Sequence, residues 1–106
     1  MKKVIITGNK GLIGSAVTSY LTEHGYDCIG LDYVDGHDLT DEEYVKSFFK
    51  ENPADGLVNL FALNHHIDSN IDKSTLWTIS LDSFKKYMDI NLTALFSVCR
   101  EYARWN

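Results

Sequence analysis

Three glycines spaced three residues apart are the feature of this sequence with the clearest chemical meaning. Gly8, Gly11 and Gly14 follow a short apolar run, Val4-Ile5-Ile6, and precede a segment with helical periodicity. Glycine allows a tight turn after a strand and leaves the amides at a helix N-terminus open to an anion. The spacing therefore indicates a turn that binds a phosphate or pyrophosphate, although glycines also mark ordinary turns.

A carboxylate follows the turn where dinucleotide-binding folds hold a ribose. Asp32 ends the next apolar run, and an acid there accepts hydrogen bonds from the adenosine ribose hydroxyls. It would repel a 2′-phosphate about 4 Å away by roughly 4 kcal/mol at an effective dielectric near 20. We therefore predict NAD in preference to NADP. Lys10, inside the turn, favours the opposite choice if its cation reaches a 2′-phosphate, but we interpret it as a solvated loop charge.

The hydrophobic pattern predicts the elements that position these residues. Unalternated apolar runs, typical of strands covered on both faces, lie at residues 4–6, 26–32 and 56–61. Helical spacing of apolar residues lies at 12–21, at 44–49 and from 82 toward the end. Thr40 with Glu43 matches a capping box for the second helix. This alternation predicts an α/β fold of three layers, α/β/α, in which a parallel sheet has helices on both faces.

Composition predicts one soluble domain over residues 1–106. The chain is 44% hydrophobic and 24% charged, and its net charge is −5 with scattered Lys and Arg, which argues against nucleic acid or an anionic membrane as partner. Cys28 and Cys99 lie in apolar runs, so we expect buried, reduced thiols. The N-terminal apolar stretch is too short for a signal peptide or a membrane span, and we therefore expect a cytoplasmic location.

The glycine turn resembles that of the short-chain dehydrogenase/reductase family. Thr7-Gly8 and Gly14 match the family's turn, whereas Gly11 is placed as in its extended branch, which includes nucleotide-sugar epimerases and dehydratases. By this resemblance the turn carries the pyrophosphate of NAD. Its residues are Thr7, Gly8, Asn9, Lys10, Gly11, Leu12, Ile13 and Gly14.

Two further segments extend the resemblance. Asp38-Leu39 is similar to the family's pair of residues whose Asp side chain and following backbone amide hold the adenine. Asp38 follows so soon after Asp32 that the family's third strand can be little more than a bridge in this chain. The adenine side should therefore be open. Asn59 matches the first Asn of the family's Asn-Asn-Ala-Gly motif, where it stabilises the central sheet, and Ala62 lies where the cofactor ribose approaches. A buried strand end with one satisfied Asn is the alternative.

The segment around Asn91 resembles the family helix whose Asn belongs to the catalytic tetrad and helps hold a water chain that leads to the catalytic lysine. A structural Asn buried for local hydrogen bonding is the alternative. None of the six tyrosines is followed four residues later by lysine. The Tyr-x-x-x-Lys pair, together with its upstream Ser, therefore lies outside this chain, and Asn91 is the only tetrad member present.

The resemblance implies the N-terminal, NAD-binding part of a short-chain dehydrogenase/reductase. Its fold would be a Rossmann-type, partial doubly wound parallel sheet of order 3-2-1-4 that lacks the later strands. The complete enzyme would interconvert an alcohol and a carbonyl on a small molecule, whereas these 106 residues, which stop before the Tyr-x-x-x-Lys region, should bind the dinucleotide without turnover. Part of an extended-type nucleotide-sugar epimerase or dehydratase, and a non-enzymatic nucleotide-binding or assembly module, are the alternatives.

Two regions outside the dinucleotide site also carry predicted roles. Residues 62–80 lack periodicity and suggest a functional loop, in which His65 and His66 line the substrate rim rather than a metal site. Apolar residues on the final helix, or an exposed sheet edge, should lead to self-association.

Overall fold

The computed structural model of the protein describes residues 1–63 and 80–106. In chain order its elements are β1 (Lys3–Thr7), α1 (Leu12–Glu23), β2 (Asp27–Leu31), a 3₁₀ turn (Tyr33–Asp35), α2 (Glu42–Glu51), β3 (Gly56–Asn59), α3 (Leu81–Met88), a π-helical segment (Asp89–Thr93) and α4 (Ala94–Trp105). The strands are all parallel and lie in the order β2-β1-β3.

The sheet confirms the predicted α/β class and has one strand fewer than expected. Between Asp32 and Asp38 the described chain forms a 3₁₀ turn and no strand, so the predicted order 3-2-1-4 is reduced to its last three strands. The physical reason is length, because a parallel neighbour requires a crossover of about a dozen residues or more.

The main core lies between the sheet and the pair α2 and α4. Its buried residues are Ile5, Leu31, Leu39, Val45, Phe49, Ala94 and Val98. Val4 and Ile6 are also buried, and strand alternation places them on the opposite face. The strands β1 and β2 also contact α1, in which Gly14 is the one buried residue of the helix. The three predicted layers are therefore present, with one layer much better packed than the other.

The start of α2 differs from the prediction by one residue. Asp41, not Thr40, is the N-cap, and its Oδ1 accepts the Tyr44 N–H at 3.2 Å. The Thr40 hydroxyl instead donates to the Asp38 carboxylate. The predicted capping box of Thr40 and Glu43 is therefore wrong, because a nearby acceptor competes for the Thr40 hydroxyl.

The predicted final helix forms, with the π-helical segment between α3 and α4. A buried carboxylate, Glu101, accepts from Arg100 Nε at 2.9 Å and lies 3.4 Å from Arg104 Nε. Arg100 also pairs with Glu42 at 3.2 Å, which joins α4 to α2. Both cysteines are free thiols, but Cys28 is half-buried and Cys99 is exposed. The prediction of burial is wrong for Cys99, since it lies about 100° around α4 from the buried Val98.

Candidate functional site

Most of the residues predicted to bind the cofactor meet in one cleft at the carboxyl ends of β1 and β2. The cleft has a volume of about 630 Å³, within the range of ligand pockets in proteins. Seven of its lining residues are predicted site residues: Gly8, Lys10, Gly11, Asp32, Asp38, Leu39 and Ala62. Open α/β sheets bind ligands at this edge, where the strands end.

Two of the three glycines are required by the backbone of the turn. Gly8 has φ +72°, and a Cβ there would lie 2.6 Å from the Leu60 carbonyl oxygen. A Cβ on Gly14 would overlap the Gly8 carbonyl group. The requirement at Gly11 is weaker, since its Cβ would lie 3.4 Å from the Gly8 oxygen. The positive φ and the nearby Leu60 carbonyl thus explain Gly8, and the close approach of α1 to the turn explains Gly14.

The N-terminus of α1 opens into this turn. Gly11 is the N-cap, no side chain of the described chain caps the helix, and its first turn holds no acidic residue. The first amides of an α-helix have no intrahelical acceptor, and the helix dipole makes this end attractive to an anion. Leu12 and Ile13 are 92% and 64% exposed beside it. The geometry fits a pyrophosphate held by backbone N–H groups.

The Asn9 side chain packs the glycine turn against β2. Its side chain lies against Gly30, where any Cβ would overlap the amide group. Asn9 Oδ1 is buried and accepts no hydrogen bond from residues 1–63 or 80–106. Buried polar atoms are rarely left unpaired in proteins. The Asn9 side chain does not line the cleft, so a role of Asn9 in cofactor binding stays a prediction.

Asp32 lies at the end of β2 with both carboxylate oxygens engaged by backbone amides. Oδ2 accepts the Lys10 N–H at 2.9 Å, and Oδ1 accepts the Val34 N–H at 3.0 Å. A carboxylate offers about four acceptor positions, so each oxygen retains capacity for a ribose hydroxyl. The first bond also ties the glycine turn to the end of β2.

Lys10 has a partner that the sequence did not reveal. Its Nζ lies 2.7 Å from Asp35 Oδ1, and this hydrogen bond and the charge of the Asp35 carboxylate raise the pKa of Lys10 above its ordinary value. The prediction of a solvated loop charge is therefore incomplete. The Lys10 ammonium group points to the 3₁₀ turn that contains Asp35. The sequence does not reveal this pair, because the two residues meet only through the tertiary fold.

The predicted adenine side is a preformed turn. Asp38 Oδ1 accepts the Thr40 N–H at 2.9 Å, and the Asp38 carbonyl accepts the Asp41 N–H at 3.1 Å. Leu39 is 8% exposed and belongs both to the core and to the cleft wall. The turn thereby presents the Asp38 carboxyl group and the Leu39 backbone beside the cleft. On this side of β2 the described structure has no further strand.

Thr7 and Asn59 connect strands rather than line the cleft. The buried Thr7 hydroxyl donates to Asn59 Oδ1 at 2.8 Å, and Asn59 Nδ2 donates to Cys99 Sγ at 3.5 Å. Asn59 thus links β1, β3 and α4, which agrees with both the sheet-stabilising interpretation and the alternative of a satisfied strand-end Asn. Ala62 is exposed on the cleft wall.

Asn91 lies in the π-helical segment and binds the backbone that follows β3. Its Oδ1 accepts the Leu63 N–H at 2.7 Å, and its Nδ2 donates to the Leu63 carbonyl at 3.1 Å. π-helical turns are rare and occur frequently at functional sites. Asn91 is exposed and its partner Leu63 is distant in the sequence, so the alternative of an Asn buried for local hydrogen bonding is wrong. The role of Asn91 in a catalytic tetrad stays a prediction.

His65 and His66 lie outside the described residues, as does most of the predicted loop. Within the described ranges, no group of three or more His, Cys, Asp and Glu residues is placed to hold a metal ion. None of the helices in that part of the chain is long and apolar enough to cross a membrane.

Comparison with known proteins identifies the family. The model of the NAD dependent epimerase/dehydratase family matches residues 4–85, and the chain therefore belongs to this family. Together with the structural matches below, this confirms the resemblance to short-chain dehydrogenases/reductases and the NAD-binding Rossmann-type fold. A search of curated proteins found no significant match.

Solved structures of the same fold differ widely in sequence. A small-chain dehydrogenase superposes with a TM-score of 0.83 at 15% identity over 98% of this chain and 53% of its own. A dTDP-4-dehydrorhamnose reductase from Clostridium acetobutylicum matches at 0.74 and 21%, over 97% of this chain and 32% of its own. A UDP-glucose-4-epimerase from Stenotrophomonas maltophila matches at 0.73 and 16%, over 99% and 34%. The chain thus spans about a third to a half of these structures, and the likeness shows the fold.

Proposed function

We propose that this chain is the NAD-binding part of an oxidoreductase that interconverts an alcohol and a carbonyl on a small molecule. The observation that carries the proposal is the meeting of three groups in one cleft: the uncapped N-terminus of α1, the close-packed glycine turn, and the Asp32 carboxylate. A pyrophosphate, a ribose and an adenine attach in that order in dinucleotides. The groups that suit them, Gly11, Asp32 and Asp38, all line the same cleft.

Charge favours NAD over NADP. The Asp32 carboxylate lies where the adenosine ribose would bind and would repel a 2′-phosphate there. Lys10, which favours NADP in the sequence, is paired with Asp35 and is therefore directed away from that role.

The residues of this chain bind and orient the cofactor and do not complete the chemistry. When bound, the nicotinamide accepts or donates a hydride, and the protein supplies orientation and electrostatics. The Tyr-x-x-x-Lys pair, whose tyrosine would supply the proton, is absent from the 106 residues. We therefore expect dinucleotide binding without turnover of substrate by this chain alone.

Titration with NADH tests the proposal. Energy transfer from the two tryptophans to bound NADH should saturate, and calorimetry should give the same Kd. ADP-ribose, which retains the adenosine and pyrophosphate, should compete, whereas nicotinamide mononucleotide should not. If folding is confirmed by circular dichroism and no saturable signal appears up to millimolar NADH, the chain does not bind the cofactor.

A second candidate is part of an extended-type nucleotide-sugar epimerase or dehydratase. The match of residues 4–85 to the epimerase/dehydratase family favours it, as does the position of Gly11. Both candidates share the dinucleotide site. Calorimetric titration of the NADH-loaded chain with a nucleoside diphosphate sugar separates them, since saturable heat favours the second candidate.

We also propose that the chain self-associates through its α3 and α4 surface. An apolar stripe at helical spacing is exposed along these helices, and it consists of Leu81, Phe84, Met88, Leu92 and Phe96. Exposed apolar surface of this kind commonly marks an interaction site.

A further inference from the structure

The outer edge of β2 presents polar backbone groups at the candidate ribose site. The Leu31 carbonyl points to β1, where it accepts the Gly8 N–H at 2.8 Å. Backbone groups of successive residues in a strand point to opposite edges. The N–H and carbonyl of Asp32 therefore point away from β1, toward the side where the described structure has no further strand.

One histidine bonds to both of these groups. Asp32 N–H donates to His37 Nδ1 at 3.1 Å, and the Asp32 carbonyl accepts the His37 N–H at 3.2 Å as well as the Asp35 N–H at 3.0 Å. The imidazole lies nearly parallel to the Tyr44 ring, with an interplanar angle of 8°, and it also lines the cleft. His37 thus provides the hydrogen bonds that a neighbouring strand would otherwise provide, directly behind the residue expected to bind the ribose.

We propose that His37 is a positioning residue that makes dinucleotide binding depend on pH. It acts through Asp32, which it holds in place only while Nδ1 is an acceptor. A protonated imidazole has two N–H donors and no acceptor, so the Asp32 N–H would then face another donor. Binding should weaken as pH falls, because the Asp32 backbone at the end of β2 loses one of the contacts that fix its position. This inference rests on the proposed binding of a dinucleotide.

Charged and titratable groups surround His37 on several elements. They are Asp32, Asp35 and Asp38 on its own loop, Tyr44 on α2, Lys10 on the glycine turn, and Lys86 and Asp89, which line the same cleft. Burial raises the pKa of Tyr44, and Asp35 raises that of Lys10. Carboxyl groups ordinarily titrate near pH 4, and phenols and amines near pH 10. Imidazoles change charge between about pH 5.5 and pH 8, so a transition in that interval points to a histidine.

The test measures the Kd for NADH by calorimetry at about pH 8 and about pH 5.5. In the wild-type chain the Kd should rise by about tenfold at the lower pH, equivalent to about 1.4 kcal/mol. His37→Asn places an amide oxygen near the position of Nδ1 and does not titrate. It should bind NADH within about threefold of wild type at pH 8 and keep that Kd at pH 5.5. His37→Phe retains a ring against Tyr44 without an acceptor and should bind about tenfold more weakly at both values.

Controls separate this inference from the proposed function. His24→Asn, at the end of α1, should keep the pH dependence of the wild type. A pH dependence that persists in His37→Asn, or wild-type affinity at pH 8 in His37→Phe, would overturn the role of His37 and leave NADH binding intact. Loss of NADH binding by the wild type at pH 8 would instead defeat the proposed function.

A spectroscopic readout keeps the test decisive if a variant does not fold. In the free wild-type chain, the Asp32 backbone amide resonance should shift over the same interval in which the Kd changes, while the Leu31 amide shifts much less. An Asp32 resonance that stays constant from pH 8 to pH 5.5 contradicts the proposed hydrogen bond.

Discussion

Asp32 contributes to the cleft through its side chain and its backbone separately. The carboxylate binds the amides of Lys10 and Val34, while the backbone binds His37. Removal of the carboxylate therefore leaves the His37 contacts in place. A substitution at this residue can test the ribose assignment with the strand end still anchored.

Asp32→Ala should weaken NADH far more than NADPH. The NADH Kd should rise at least about tenfold, because hydrogen bonds to a charged group contribute about 1.5–3 kcal/mol each. The NADPH Kd should change by less than about threefold, since the lost acceptor is offset by the removed repulsion of the 2′-phosphate. Parallel titrations with the two cofactors measure the ratio.

Asp27→Ala is the matched control, because Asp27 is an exposed carboxylate at the opposite end of the same strand. It should leave both Kd values unchanged. Equal losses of NADH and NADPH in Asp32→Ala would contradict the assignment of Asp32 to the ribose.

The sequence predicted the positions of residues that lie next to a strand end or a helix start. It did not predict contacts that form across an irregular turn. Gly8, Gly14 and Asp32 are placed by a strand end and a helix start, both of which leave a periodic signal. Asp35 and His37 act across a short irregular turn, where no periodicity indicates which side chain meets which backbone group.

At the scale of elements, the packing of α1 on the glycine turn distinguishes two glycines that look equivalent in the sequence. A Cβ on Gly14 overlaps the Gly8 carbonyl, whereas a Cβ on Gly11 has room. Ordinary helix propensity would predict a gain of about 1 kcal/mol for alanine in place of a helical glycine. Steric overlap reverses that sign at Gly14.

Gly14→Ala should lower the free energy of unfolding by about 2 kcal/mol or more, because backbone must move to relieve the overlap. Gly11→Ala should change it by less than about 1 kcal/mol. Urea denaturation followed by circular dichroism measures both variants. A neutral or stabilised Gly14→Ala chain would show that α1 does not pack on the turn as described.

The π-helical segment between α3 and α4 could not be predicted from the hydrophobic pattern. The sequence placed Asn91 on the final helix correctly, but an extra residue per turn leaves no signature in apolar spacing. In the structure the segment brings Asn91 against both backbone groups of Leu63. These bonds join α3 and α4 to the chain that leaves β3 and forms one wall of the cleft.

Asn91→Ala should lower the free energy of unfolding by about 1–2 kcal/mol, since two hydrogen bonds to the Leu63 backbone are lost. Thr93→Ala is the control in the same segment, as the described structure gives the Thr93 side chain no capping role. Chemical denaturation should show a loss for the first variant only. A loss of the same size in Thr93→Ala would mean that the segment responds to any substitution.

At the scale of the whole molecule, the sheet is covered unequally and one helical surface is unusually apolar. The core lies between the sheet, α2 and α4, whereas α1 buries little beyond Gly14. The sequence predicted the layers and the apolar face of the last helix. Along that helix Val98 is buried, whereas Phe84 and Met88 are 52% and 39% exposed. Whether a helix stripe packs inward depends on how far the sheet beneath it extends, and the stripe itself carries no information about that.

The exposed stripe on α3 and α4 should make the chain associate with a second copy. Sedimentation velocity of the wild type should show a concentration-dependent dimer, because pairing two stripes removes Leu81, Phe84 and Leu92 from water. Phe84→Glu combined with Leu92→Glu should raise the dissociation constant at least about tenfold, since a carboxylate buried in an apolar interface is strongly unfavourable. Tyr20→Glu, on the exposed side of α1, should dimerise like the wild type. A wild-type chain that remains monomeric at high concentration, or a Tyr20→Glu variant that dissociates as strongly as the double variant, would assign the contact to another surface.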